Sequence, residues 1–160
     1  MTMCSRLLFY RRDFYFFRSD KMYTLKTSAS FDSAHFLAGY NGKCANIHGH
    51  RWVIEVHAFS ESLQSEGQQR GMVIDFSQLK KMVNALADRL DHCLLYEKGS
   101  LKKNTEDALF DEGFRLVPLD FRPTAENFAK AFFDSLSREG LAVSKVVVYE
   151  TPDNCASYEV

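Results

Sequence analysis

No two cysteines in this 160-residue chain stand within four residues of each other. Cys4, Cys44, Cys93 and Cys155 are scattered, which excludes the paired spacing of zinc fingers and ribbons. A surplus of charge is missing too. Twenty basic and 21 acidic residues leave a net charge of −1, so electrostatics make no case for nucleic acid or a membrane surface as partner. Every apolar run falls well short of the roughly 20 residues that span a bilayer. There is no internal repeat and no glycine-rich phosphate loop. Nor does the start of the chain show the long apolar core and small-residue cleavage site of a secretory signal. Isolated cysteines in such a chain read as reduced thiols, and the expected compartment is the cytoplasm. What remains is 46% apolar and 26% charged, the balance of one globular domain with a sizeable core.

Residues 1–21 differ from the rest. Arg6, Arg11, Arg12, Arg18 and Lys21 are set among Leu7, Leu8, Phe9, Tyr10, Phe14, Tyr15, Phe16 and Phe17. An interfacial amphipathic segment is one reading, but the pattern is short. From Met22 the chain turns into a credible first strand. The expectation is a domain over 22–160, preceded by an extension over 1–21 that is no part of the fold.

The densest chemistry lies between Phe31 and Glu55. His35, Cys44 and His48-Gly49-His50 place three of the five histidines within sixteen positions. After His50, Trp52, Ile54 and Val56 keep an alternating apolar register, with Val53 out of phase. On a strand, residues two apart share a face, so His48 and His50 point the same way. Gly49 adds no side chain between them. His35 supplies a third imidazole from a preceding antiparallel strand. Three neutral imidazoles with a fourth position open is the pattern of a catalytic zinc site. Cys44 is a fourth ligand, a nucleophile or base beside the metal, or an inert buried thiol. The absence of a second nearby cysteine favours the catalytic reading.

Elsewhere the chain alternates strand and helix signals. Residues 23–31 and 51–60 read as strands, with loops over 37–47 and 61–71. Phe76, Leu79, Met82, Val83, Leu86 and Leu90 form a helical stripe, with Asp75 as N-cap. Leu90-Asp91-His92 follows, and a carboxylate beside an imidazole can orient it for proton transfer. A short helix over 105–111 ends at Gly113, and residues 114–119 read as a short strand with Pro118 at its edge. Pro123-Thr124-Ala125-Glu126-Asn127 opens another helix, with Phe128, Ala131, Phe132 and Leu136 on one face. Residues 144–151 are the last strand, closed by the carboxylate of Glu150.

Six motifs then stand in order: Phe31-Asp32-Ser33-Ala34-His35, Cys44-Ala45-Asn46-Ile47-His48-Gly49-His50, Gly71-Met72-Val73-Ile74-Asp75-Phe76, Leu90-Asp91-His92, Pro123-Thr124-Ala125-Glu126-Asn127 and Tyr149-Glu150-Thr151. In this order they resemble the 6-pyruvoyl-tetrahydropterin synthase family over 22–160. The three residues between Cys44 and His48 are nearest to its bacterial branch, the 6-carboxy-5,6,7,8-tetrahydropterin synthases of queuosine (7-deazaguanine) biosynthesis. The stretch 98–119 is longer than in short family members.

The resemblance implies an α+β tunnelling fold. A four-stranded antiparallel sheet carries helices on one face, and sheets of several subunits join into a barrel, as trimers or hexamers with active sites between subunits. It implies zinc on His35, His48 and His50. Cys44 matches the proton-abstracting thiol, with Asp91 and His92 as its relay. Glu150 matches the pterin anchor, with Thr124, Glu126 and Thr151 near it. The implied lyase reaction turns 7,8-dihydroneopterin triphosphate into 6-carboxy-5,6,7,8-tetrahydropterin, acetaldehyde and triphosphate. The alternatives are triphosphate elimination to 6-pyruvoyl-tetrahydropterin and a non-catalytic zinc or pterin module. A binder would need none of Cys44, Asp91 and His92.

Overall fold

The computed structural model describes residues 21–160. The expected extension lies outside them but for Lys21. Six strands form one mixed sheet: β1 (Tyr23–His35), β2 (His48–Ser60), β3 (Leu94–Glu97), β4 (Leu116–Leu119), β5 (Val143–Thr151) and β6 (Asn154–Glu159). Their order is β4-β3-β1-β2-β5-β6. Three helices accompany them: α1 (Phe76–Leu90), α2 (Lys103–Asp111) and α3 (Ala125–Arg138).

The central pair is long and unbroken. β1 and β2 run antiparallel from Tyr23 opposite Ser60 to His35 opposite His48. On β2, Trp52, Ile54, Val56 and Ala58 are buried, as the alternation predicts. They share a core with Leu79, Val83, Leu86, Ala87 and Leu90 of α1 and Phe128, Ala129, Phe132 and Leu136 of α3. Both helices therefore pack on one face of the sheet. The other face of the central strands carries none of this core.

Local signals fix the helix starts. The Asp75 carboxylate accepts from the Ser77 backbone N–H, and Thr124 Oγ1 accepts from that of Asn127. One member of the predicted stripe departs from it. Phe76, the first residue of α1, is 56% exposed.

The expected four-stranded antiparallel sheet is corrected to six strands. β3 runs parallel to β1, and β4 runs parallel to β3. The long 98–119 stretch makes this possible. Parallel neighbours need a crossover, and α2 supplies it between β3 and β4. Glu106 of α2 accepts a hydrogen bond from the Tyr96 hydroxyl of β3 at 2.6 Å. At the other end β6 pairs with β5 through the tight turn that follows Thr151. The chain also adopts a 3₁₀ turn, Lys43–Ala45, within the expected loop between β1 and β2. Among the described residues no helix is long and apolar enough to cross a membrane.

Candidate active site

Antiparallel pairing assembles the histidines. His35 faces His48 directly, and His50 sits two residues on, opposite Ser33. Directly opposed side chains stand about 5 Å apart at Cβ, so the three rings meet on the helix side of the sheet. Ring centroids are 4.4 Å apart for His35–His48, 5.2 Å for His35–His50 and 5.0 Å for His48–His50. One ligand atom from each lies within 4.8 Å of the others, close enough for a single ion. Trp52 forms the floor, 4.9 Å from the His35 ring and 5.6 Å from the His50 ring.

Backbone carbonyls fix the tautomers. His35 Nδ1 lies 2.8 Å from the Pro123 carbonyl, and His48 Nδ1 lies 2.7 Å from that of Asn46. A carbonyl only accepts, so each Nδ1 carries the proton and each Nε2 keeps a lone pair. His35 Nε2 is buried and makes no hydrogen bond among the described residues. Burial holds the His35 pKa down to about 4, outweighing the Pro123 hydrogen bond that raises it. Burial also lowers that of His50. Both rings are thus neutral at neutral pH, the ligating form. This donor set fits a divalent cation.

Glu150 closes the cluster. On β5 it continues the parity of the buried Val146 and Val148, so it points to the same face as the histidines. Its Oε1 is 3.4 Å from His35 Nε2 and 3.9 Å from His50 Nε2. Glu150 and Thr151 also line a cleft of about 570 Å³ with Gly49, His50, Arg51 and Tyr149, within the size range of small-molecule pockets. A Cβ on Gly49 would make only ordinary contact, 3.6 Å from the Ser33 carbonyl. Glycine there leaves space in the cleft and relieves no clash.

Asp91 and His92 lie where α1 gives way to β3. Asp91 Oδ2 accepts from His92 Nδ1 at 2.7 Å, and its Oδ1 accepts from the Asp32 backbone N–H at 2.8 Å. The Asp32 N–H first, and His92 next, hold the Asp91 carboxyl below its ordinary pKa. It is therefore ionised at neutral pH and orients the imidazole. His92 adopts φ +52°, which among the described residues no other non-glycine shares with it in sign. Such a conformation costs about 1–3 kcal/mol and persists only where surrounding contacts enforce it.

Among the described residues no hydrogen bond or ion pair joins this pair to His35, His48 or His50, although His50 lines the same cleft as His92. The His92 side chain is 80% exposed and lines a cleft of about 740 Å³. Asp32, Ser33, Ala34, Gly49, His50 and Arg51 line the same cleft. Asp32, Ala34, Gly49 and Arg51 alternate along β1 and β2 with the buried, core-facing residues, whereas Ser33 and His50 belong to the core-facing set, so the cleft lies where the two faces meet at the ends of these strands. Cys44 stands in the 3₁₀ turn, half-buried, its carbonyl accepting from the Leu37 N–H. No hydrogen bond joins its thiol to Asp91 or His92 among the described residues.

The other expected contacts have local duties. Thr124 Oγ1 caps α3, and Glu126 is exposed in that helix's first turn. Thr151 Oγ1 accepts from the backbone and side-chain nitrogens of Asn154 and so holds the β5–β6 turn. The sequence reading missed the carbonyls of Pro123 and Asn46. A backbone carbonyl carries no residue signature, so only the fold reveals them.

The chain belongs to the 6-pyruvoyl tetrahydropterin synthase family, whose sequence profile matches residues 24–160. Among its relatives, the Haemophilus influenzae protein named 6-carboxy-5,6,7,8-tetrahydropterin synthase is 34% identical over 141 residues, covering 86% of this chain and 99% of that protein. The Aquifex aeolicus protein of the same name is 33% identical over 127 residues, covering 73% and 76%. Among solved structures, the Caenorhabditis elegans 6-pyruvoyl tetrahydropterin synthase aligns over 88% of this chain and 96% of its own, with TM-score 0.61 and 26% identity.

Proposed function

We propose that this chain is a zinc-dependent 6-carboxy-5,6,7,8-tetrahydropterin synthase serving queuosine biosynthesis. It converts 7,8-dihydroneopterin triphosphate and water to 6-carboxy-5,6,7,8-tetrahydropterin, acetaldehyde and triphosphate. The observation that carries this reading is the convergence of His35, His48, His50 and Glu150 beside a small-molecule cleft. Relatives of that name match most of the chain.

His35, His48 and His50 would hold zinc, which when bound would supply Lewis acidity toward the side-chain oxygens of the substrate. Cys44 takes the carbon-bound proton as general base. His92, oriented by ionised Asp91, carries protons on the other side of the reacting carbons. Glu150 accepts from the 2-amino and ring N–H groups of the pterin edge, a two-pronged fit for a carboxylate. Thr124, Glu126 and Thr151 border that end of the site.

The exposure of the His92 ring, which makes no hydrogen bond to the histidine cluster of its own chain among the described residues, supports a site completed by a neighbouring subunit. The Asp91–His92 pair of one chain serves the histidine cluster of another in a homo-oligomer, a trimer or hexamer. Such an assembly also covers the sheet edges at β4 and β6.

Product analysis tests the reaction. Zinc-loaded protein incubated with 7,8-dihydroneopterin triphosphate releases acetaldehyde in step with the 6-carboxy product. A 6-pyruvoyl product without acetaldehyde moves the assignment to the biopterin-type elimination. The pterin contact has its own test. Glu150→Gln weakens pterin binding by about 2–5 kcal/mol, the loss expected for a charge-assisted pair, and leaves zinc stoichiometric. Unchanged affinity in calorimetry removes Glu150 from pterin recognition.

A further inference from the structure

We propose that Arg115 is a positioning residue for the Asp91–His92 pair, locking the peptide between them so that His92 keeps its left-handed turn at the cleft. This rests on the relay role proposed above for that pair.

Helix α1 ends in a cluster of carbonyls without intrahelical partners. The Arg115 guanidinium gathers them. Its Nη2 donates to the Arg89 carbonyl at 2.8 Å and the Asp88 carbonyl at 3.5 Å. Its Nη1 donates to the Asp91 carbonyl at 2.8 Å. A planar, permanently charged fork suits several carbonyls at the negative end of a helix.

The third of these bonds bears on the relay. The Asp91 carbonyl belongs to the peptide that joins Asp91 to His92. The N–H of that same peptide donates to the Asp32 carbonyl at 2.7 Å. Both polar groups of one peptide plane are therefore held, one by Arg115 and one by β1. Asp91 has ψ 139° and His92 has φ +52°. Rotating the plane by roughly half a turn would take both angles to commonly occupied regions, and it would break both of these hydrogen bonds and release the constraint that holds His92 in its left-handed turn. Asp32 alone resists that rotation from one side. Arg115 resists it from the other.

The stretch 98–119 delivers the residue. Arg115 precedes β4, and its own carbonyl accepts from the Leu94 N–H at 2.9 Å. Arg115, Phe114, Leu109 and Leu116 line the same cleft as His92. The α2–β4 unit thus does more than widen the sheet, since it reaches back to the turn that presents the imidazole.

The test compares Arg115→Ala, Arg115→Lys and the parent protein, all zinc-loaded, with 7,8-dihydroneopterin triphosphate as substrate. Arg115→Ala loses about 10- to 100-fold in kcat, the scale of a small misplacement of a reacting group, with KM and zinc content unchanged. Arg115→Lys recovers part of the loss, because an ammonium donates but does not span three carbonyls. In Arg115→Ala the His92 amide exchanges with solvent on the order of ten-fold faster or more, while amides of β1 and β2 keep their protection. An unchanged kcat, or an unchanged His92 amide, overturns the proposal. Should Arg115→Ala not fold, Arg115→Gln decides by the same two readings. His92→Ala separates the layers of the argument. Normal turnover there overturns the relay itself, whereas normal turnover in Arg115→Ala beside an inactive His92→Ala overturns only the positioning role.

Discussion

His48→Ala purifies without stoichiometric zinc and without measurable turnover. Two imidazoles then remain, and two ligands do not hold zinc in a site built for three. The expected fall in zinc affinity is more than about 100-fold, beyond the 10- to 100-fold typical of changes in the groups behind the ligands. His48 is the sharpest choice of the three. His35 is fully buried under the rings and against Trp52, so replacing it also opens a cavity in the core. His48 is only half-buried at the strand end, and its Nδ1 bonds only the nearby Asn46 carbonyl. Its loss removes a ligand and little packing, so the melting temperature of the metal-free protein stays near that of the metal-free parent. Zinc content by elemental analysis, read beside turnover, decides the matter. Stoichiometric zinc in His48→Ala refutes the metal assignment.

The histidine cluster was legible because it rests on parity alone. His48 and His50 share a face in any extended strand, and the apolar alternation from Trp52 to Val56 declares the strand. The facing His35 needed only an antiparallel neighbour. Asp75 and Thr124 were legible as caps for the same local reason. β3 was not, since four residues directly after a helix give no period to count. β6 was hidden by its composition. Asn154, Ala156 and Glu159 are poor strand formers, and they pair because β5 already presents an edge. The orientation of Asp91 and His92 was beyond the sequence too. It depends on how the end of α1 meets β1 through Asp32, 59 positions away from Asp91. Adjacent letters suggested a relay; its face of the sheet is a property of the tertiary structure. Arg115 was hidden in the same way, because its partners are carbonyls.

Cys44→Ala retains full zinc and loses turnover by about 10²- to 10⁴-fold, the contribution of a placed general base. The competing expectation, that Cys44 is a fourth ligand, predicts loosened zinc in the same protein. The donor atoms that converge are those of His35, His48 and His50, and the thiol is not among them. Glu150, rather than Cys44, occupies the space beside the Nε2 atoms of His35 and His50. The loop that carries Cys44 is nonetheless held with care. Arg122 donates to the Ala38 carbonyl at 2.8 Å, and its guanidinium lies 5.8 Å from the centre of the Tyr40 ring. A Cβ on Gly42 would come within 2.6 Å of that ring, so glycine lets Tyr40 lie against the turn before Cys44. Alkylation rates alone do not discriminate, since Cys155 is exposed and reacts whatever the role of Cys44. Protection does. Bound pterin substrate slows labelling of Cys44 and leaves Cys155 unaffected if the thiol lies against the substrate. Depleted zinc in Cys44→Ala, or Cys44 labelling indifferent to substrate, transfers the residue from base to ligand or to packing.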